Sequence, residues 1–170
     1  CVLWIAGMCG RRISVCCGRP AICCAAGWMR RQCEGALTGN MTAHPRIDPI
    51  TGELLFFGYN VMQPYLTYMR ADAAGKMVQV EPITLTGPSM VHDFAVTENY
   101  VVFMELPVRF SWLMALTGSG LPFKWDADAP SRVGVMPRTG GNADVKWFDV
   151  PTCFVFHIMN SYEQGDEVIV

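Results

Sequence analysis

Charge is scarce in this 170-residue chain: 16% of residues are charged, 51% are apolar, and the net charge is −2. Such a balance offers no basic face to a phosphate backbone, so nucleic acid is not an expected partner. The apolar content is that of a globular protein and excludes a disordered one. No apolar run reaches the roughly 18–20 residues that a membrane-spanning helix needs. Neither a Ser-His-Asp nor a Cys-His signature is present, which argues against nucleophilic catalysis. Gly140-Gly141-Asn142 is not followed by a helix pattern, so it reads as a hairpin turn and not as a phosphate loop. From Asn40 onward a helical period is almost absent.

Cysteine and acid are distributed very unevenly. Seven of the eight cysteines fall within residues 1–33, leaving Cys153 alone in the rest of the chain. No acidic residue precedes Glu34, and residues 1–33 carry a charge of +5 against −7 for the remainder. Cys16-Cys17 and Cys23-Cys24 are adjacent pairs, which converge poorly on one ion, unlike the Cys-x2-Cys spacing of zinc sites. A disulfide framework requires a secreted context that nothing else supports. Three readings of this stretch stay open: a misread or degenerate segment, which we favour, ordinary reduced cysteines, or a metal or disulfide site. The sequence thus divides into a Cys-rich, Arg-rich segment 1–34 and a second part, 35–170. Cys1 and the apolar Val168-Ile169-Val170 read as cut ends of a longer protein.

The second part is a succession of short apolar runs separated by turn residues. Strands are expected at 54–59, 65–70, 78–85, 100–106, 132–136, 145–150 and 153–157, all rich in Val, Phe, Tyr, Trp and Leu. Turn signals stand between them at Asp48–Gly52, Asp72–Gly75, Thr97–Asn99, Gly140–Asn142 and Gln164–Asp166. The fold class is therefore all-β, built from antiparallel hairpins in a sandwich, barrel or propeller.

The three histidines share one local setting. His44, His92 and His157 each precede a few residues, a turn and an apolar strand, at intervals of 48 and 65 residues. A hairpin repeat of roughly 40–50 residues is the period of propeller blades. Equivalent positions in successive blades face one axis, so three matching histidines would converge, as a first-row metal requires. The plainer reading is three unrelated histidines, each bonded to a backbone carbonyl.

The residues around these histidines carry a resemblance. Met41-Thr42-Ala43-His44-Pro45-Arg46-Ile47-Asp48-Pro49-Ile50-Thr51-Gly52-Glu53-Leu54, Met90-Val91-His92-Asp93-Phe94-Ala95-Val96-Thr97-Glu98-Asn99-Tyr100, and Phe156-His157-Ile158-Met159-Asn160-Ser161-Tyr162-Glu163 resemble, in order, three iron-ligand motifs of the carotenoid cleavage oxygenases. The resemblance covers the chain from about Gly35 to Val170. It implies part of a seven-bladed β-propeller with Fe(2+) on its axis. His44, His92 and His157 would be three of four histidine ligands, the fourth falling beyond Val170. It further implies dioxygen and an apolar conjugated substrate, a carotenoid or apocarotenoid, cleaved at a C=C bond to two carbonyl products. This stretch alone is not expected to turn over. In the family, glutamates orient the ligands; one such position falls in the Cys-rich stretch, where no acid precedes Glu34, and others are expected beyond Val170. Glu105 and Glu163 are weaker candidates for that role, Glu105 fitting a strand edge and Glu163 a hairpin turn.

The largest apolar insertion, Leu106–Trp125, lies between the second and third motifs, where the family carries its substrate entrance and membrane-facing patch. Phe103, Phe110, Trp112, Leu113 and Phe123 are the candidate tunnel residues. Around this insertion the sequence leaves two readings: a tunnel mouth or bilayer contact, or the covered outside of a blade. A cytoplasmic protein touching the membrane peripherally is the corresponding expectation. The eleven methionines read as core filling. Three other functions remain as alternatives: a stilbene-cleaving dioxygenase of the same superfamily, an inactive truncated remnant, and a repeat scaffold for protein partners.

Overall fold

The computed structural model describes residues 37, 39–118 and 120–170. The Cys-rich segment 1–34 and its boundary lie outside the described residues. Four strands, β1 (Arg46–Ile47), β2 (Leu54–Tyr59), β3 (Leu66–Ala71) and β4 (Met77–Ile83), form an antiparallel up-and-down sheet in chain order. β2 is an inner strand with apolar residues on both faces: Leu55 and Phe57 point one way and Phe56 the other, and all three are fully buried. Pro82 is tolerated in β4 because that strand lies at the sheet edge, where a missing N–H costs no ladder bond. The turns follow the residues read from the sequence. The Asp48 carboxylate accepts from Ile50 and Thr51 N–H at 2.8 and 2.9 Å, and Gly52 takes a φ of 73°. Asp72 likewise accepts from Ala74 and Lys76 N–H, with Gly75 at φ 87°.

The second sheet repeats the plan with one excursion. β5 (Ala95–Val96) and β6 (Tyr100–Glu105) form a hairpin. The chain then leaves through β7 (Val108–Phe110), the short helix α1 (Trp112–Thr117) and β8 (Phe123–Trp125). It returns to pair β9 (Arg132–Pro137) with β6, and β10 (Lys146–Asp149) with β9, in the order β10-β9-β6-β5. The β9–β10 connection holds a 3-10 turn, Asn142–Asp144, after the two glycines. A last hairpin, β11 (Tyr162–Gln164) and β12 (Glu167–Ile169), turns at Gly165 with φ 59°.

Among the described residues the fold is mostly β and antiparallel, as expected, in two four-stranded sheets and two two-stranded hairpins. One expectation is corrected. The run at 153–157 is not a strand: it forms no ladder, and Phe154 and Phe156 stack edge to face on each other instead. The apolar insertion 106–125 forms a hairpin with a helix at its tip. Methionine is core filling at Met69, Met104 and Met136, whereas Met62 and Met159 are exposed.

The main core lies between the two four-stranded sheets. Leu55, Phe57, Leu66, Tyr68 and Ile83 come from the first sheet, Val101, Phe103 and Met136 from the second, and Leu85, Val91 and Phe94 from the segment linking them. Tyr68 also donates its hydroxyl to the Arg138 carbonyl at 3.2 Å, tying the sheets at one end. The Arg138 guanidinium bonds Asp48 at 2.6 Å and Glu53 at 3.2 Å, so the β1–β2 turn is pinned to the second sheet. Glu105, with no exposed surface, holds the base of the excursion. It accepts from Thr86 N–H and hydroxyl at 2.7 and 2.6 Å, and from Arg109 and Arg132 at 3.1 and 2.8 Å.

Phe103 is fully buried, with its ring against Tyr68 and Phe94 at centroid distances of 5.7 and 6.4 Å. Phe103→Ala should therefore lower the unfolding free energy by about 3–5 kcal/mol, the usual cost of emptying a buried aromatic site. Urea denaturation followed by tryptophan fluorescence checks this.

Candidate metal centre

Each histidine sits just ahead of the first strand of its own sheet. His44 precedes β1 by two residues, His92 precedes β5 by three and His157 precedes β11 by five. His44 is placed by the backbone in front of it. Residues 40–42 run across β2, where Thr42 N–H donates to the Phe57 carbonyl at 2.6 Å. That approach requires Gly58, because a Cβ there would stand 2.1 Å from the Asn40 carbonyl oxygen. The buried Thr42 hydroxyl then accepts from His44 N–H at 3.1 Å and makes a longer contact, 3.5 Å, to the His92 carbonyl.

The three imidazoles meet. Ring centroids are 4.9 Å apart for His44 and His92, 4.8 Å for His44 and His157, and 5.0 Å for His92 and His157. One ring nitrogen from each lies within 4.8 Å of the other two, and the His44 and His92 Nε2 atoms are 3.1 Å apart. His44 and His92 are half-buried, whereas His157 faces solvent.

Asp93, which sequence reasoning quoted but did not single out, joins the segments that carry the three rings. It is 1% exposed. Its Oδ1 accepts from Arg46 at 3.0 Å and from its neighbour Phe94 N–H at 2.9 Å; its Oδ2 accepts from Arg46 at 3.2 Å and from Ile158 N–H at 3.0 Å. Arg46 is two residues after His44, Asp93 directly follows His92, and Ile158 directly follows His157. The signal was present in the sequence: an acid inside the apolar run Val91–Val96 must find partners when buried. What the sequence could not supply was the identity of those partners.

Burial is the largest influence on both inner rings, and it lowers the pKa of His44 and of His92 below the usual imidazole value. Neighbouring imidazoles act in the same direction, while the Asp93 charge opposes them. Near neutral pH these two rings are therefore uncharged and keep a lone pair for a ligand. Three imidazoles without a coordinating carboxylate suit iron, zinc, copper or nickel. Metal–imidazole bonds of about 2.1 Å at right angles place two nitrogens about 3 Å apart, close to the spacing of His44 and His92. The donor set therefore fits a bound first-row metal. Phe156 lies edge to face with His92 at 5.5 Å and Phe154 packs on Phe156 at 4.7 Å, giving the cluster an apolar flank.

Neither of the two candidate glutamates reaches a ring. Glu105 is committed to Thr86, Arg109 and Arg132. Glu163 accepts from Thr97 hydroxyl and from Asn99 N–H and side-chain amide, and so clamps the β5–β6 turn against β11. Of the candidate tunnel residues, Phe110, Trp112, Leu113 and Phe123 share the β7–α1–β8 hairpin. Phe110 makes edge contacts with Trp112 at 4.9 Å and Phe123 at 5.7 Å, while Trp112 and Leu113 are 58% and 72% exposed. Phe103 stands apart from them in the core.

Comparison with known proteins places this arrangement. The family model described as retinal pigment epithelial membrane protein matches residues 26–170, beginning inside the Cys-rich stretch. A carotenoid 9,10(9',10')-cleavage dioxygenase of Pisum sativum is 42% identical over 132 residues, covering 77% of this chain and 24% of that protein. The crystal structure of a Pseudomonas brassicacearum lignostilbene dioxygenase superposes with a TM-score of 0.70 at 35% identity, covering 79% of this chain and 29% of that one. Cobalt-substituted Synechocystis ACO superposes at 0.68 with 29% identity, covering 81% and 31%. The chain spans about a quarter of the length of the curated relatives it matches. With its order of histidine motifs and its paired antiparallel sheets, the chain belongs to the carotenoid cleavage oxygenase family.

Proposed function

We propose that this chain supplies three of the metal ligands of a non-haem Fe(2+) dioxygenase. The enzyme cleaves a conjugated C=C bond of a carotenoid or apocarotenoid, one atom of dioxygen going to each carbonyl product. The convergence of His44, His92 and His157 carries the proposal. Its substrate class is supported by the 42% identity to a plant carotenoid cleavage dioxygenase. On this reading the two four-stranded sheets are blades of a seven-bladed propeller, and the histidines point toward its axis.

The bound ion supplies the redox chemistry between dioxygen and the double bond. The chain's own residues do the rest. His44 and His92 present uncharged nitrogens, Thr42 and Asp93 fix the backbone that carries them, and Phe154 and Phe156 offer an apolar wall beside the cluster. No side chain is required to add to the substrate or to move a proton. The exposed Trp112, Leu113, Leu116, Leu121 and Trp125 around the β7–β8 hairpin provide an apolar surface, which we assign to substrate entry or contact with a membrane surface. Among the described residues no helix is long and apolar enough to cross a membrane. A second reading, stilbene cleavage, draws support from the lignostilbene dioxygenase at 35% identity.

Fe(2+) loaded anaerobically onto the protein from the complete open reading frame should reach near one equivalent, and His92→Ala should remove most of it. Absence of specific iron in the parent protein would sink the proposal, and a product screen on apocarotenoids against stilbenes separates the two substrate classes. Trp112→Ser with Leu113→Ser should raise KM for an apolar substrate severalfold and leave the iron content unchanged. The metal-free protein should lose stability as pH falls below about 6.5, the unperturbed imidazole pKa. His44 and His92 have lowered folded-state pKa values, so the unfolded chain binds more protons in that window and is favoured there. Melting curves between about pH 7.5 and 5.5 should show this slope, and His44→Ala with His92→Ala should flatten it.

A further inference from the structure

The three histidines come from three sheets, and none of those sheets alone fixes the distance between rings. The segment carrying His157 has no strand ladder before β11. Something must therefore set the spacing of the three histidine-bearing segments, and among the described residues one side chain touches the flank of all three. We propose that Asp93 is the positioning residue of the metal centre: its carboxylate holds the strand after His44, the backbone after His92 and the backbone after His157 in one fixed arrangement. The inference rests on the metal-centre reading given above.

Geometry supports it in three ways. Both carboxylate oxygens are used, each shared between Arg46 and a backbone N–H, at 2.9 to 3.2 Å. The bond to Ile158 N–H spans 65 residues of sequence and the one to Arg46 spans 47, so both are tertiary ties. The carboxylate is buried while Arg46 keeps a side-chain exposure of 42%, so Asp93 depends on the backbone donors as well as on its ion pair. Replacing one oxygen with an amide nitrogen would turn that atom from acceptor to donor. It would then oppose Arg46 and, with it, either the Phe94 or the Ile158 N–H. The same need does not arise at Glu105, a carboxylate equally removed from water whose partners, Thr86, Arg109 and Arg132, lie outside the histidine-bearing segments.

Cobalt(II) is a suitable probe, since its visible absorption reports ligand geometry without turnover. Titrations of the full-length protein would compare the parent with His92→Ala, Asp93→Asn, Arg46→Met and Glu105→Gln, with a melting temperature taken for each. Asp93→Asn should weaken cobalt binding by about tenfold to a hundredfold, the usual effect of losing a group that orients metal ligands, and should change the absorption bands. Arg46→Met, which leaves both backbone donors on Asp93, should give a smaller loss with a change of the same kind. Glu105→Gln should lower the melting temperature and leave cobalt affinity and bands at parental values. Parental affinity and spectrum in Asp93→Asn would overturn the inference. So would an equal loss of affinity in Glu105→Gln, which would mark a general effect of destabilisation. If Asp93→Asn fails to fold, Arg46→Met carries the test, and parental binding there overturns the inference. A parent that takes up no stoichiometric cobalt removes the metal-centre reading and this inference with it, whereas parental binding lost in His92→Ala and kept in Asp93→Asn removes the inference alone.

Discussion

A carboxylate withdrawn from water must be paired, and that requirement organises this structure at the places where the sheets meet. Asp93 and Glu105 are both essentially without exposed surface. Asp93 gathers Arg46 and the Phe94 and Ile158 N–H groups, and Glu105 gathers Arg109, Arg132 and the N–H and hydroxyl of Thr86. Arg138 plays the converse part, with one guanidinium joined to Asp48 and Glu53 from the other sheet. Apolar burial supplies most of the driving force but has no direction. The charged ties are directional, and they select one arrangement of the sheets from those that would bury similar area.

The site follows from that arrangement. An up-and-down sheet starts at one edge, so a residue placed just ahead of the first strand lies at that edge in every repeat. Repeating the plan with a histidine at the same offset brings rings together without any of them being near another in sequence. The offsets are two, three and five residues, and the irregular path before β11 absorbs the longest of them. Desolvation then keeps the two inner rings neutral. Imidazole ligands bring no negative charge of their own, so the charge of a bound first-row cation would stay uncompensated by this ligand set.

Much of this was legible in the sequence. The apolar run at 54–59 coincides with an observed strand and that at 100–106 overshoots its strand by one residue, and Asp48, Gly52, Asp72 and Gly75 make the turns that their residue types suggest. The shared setting of the histidines foretold their meeting. What stayed hidden depended on tertiary pairing. Phe103 alternates in β6 like any strand residue, and only the packing of two sheets shows it to be core and not tunnel wall. Phe154 and Phe156 have strand composition, yet their rings pack on each other and on His92. Glu163 looked like part of its own hairpin, but its partners are Thr97 and Asn99 on the neighbouring sheet.

The separation of the ligands along the chain bears on how the centre comes into being. His44 and His92 are 48 residues apart, and between them lie the whole first sheet and part of the core. Closing so long a loop costs entropy before other contacts hold it, so the packing of the sheets is what brings the rings together. A bound ion would then be a guest of a folded site and not the template on which the site folds. It would meet ligands already facing one another, so little of its binding energy would go into ordering the polypeptide.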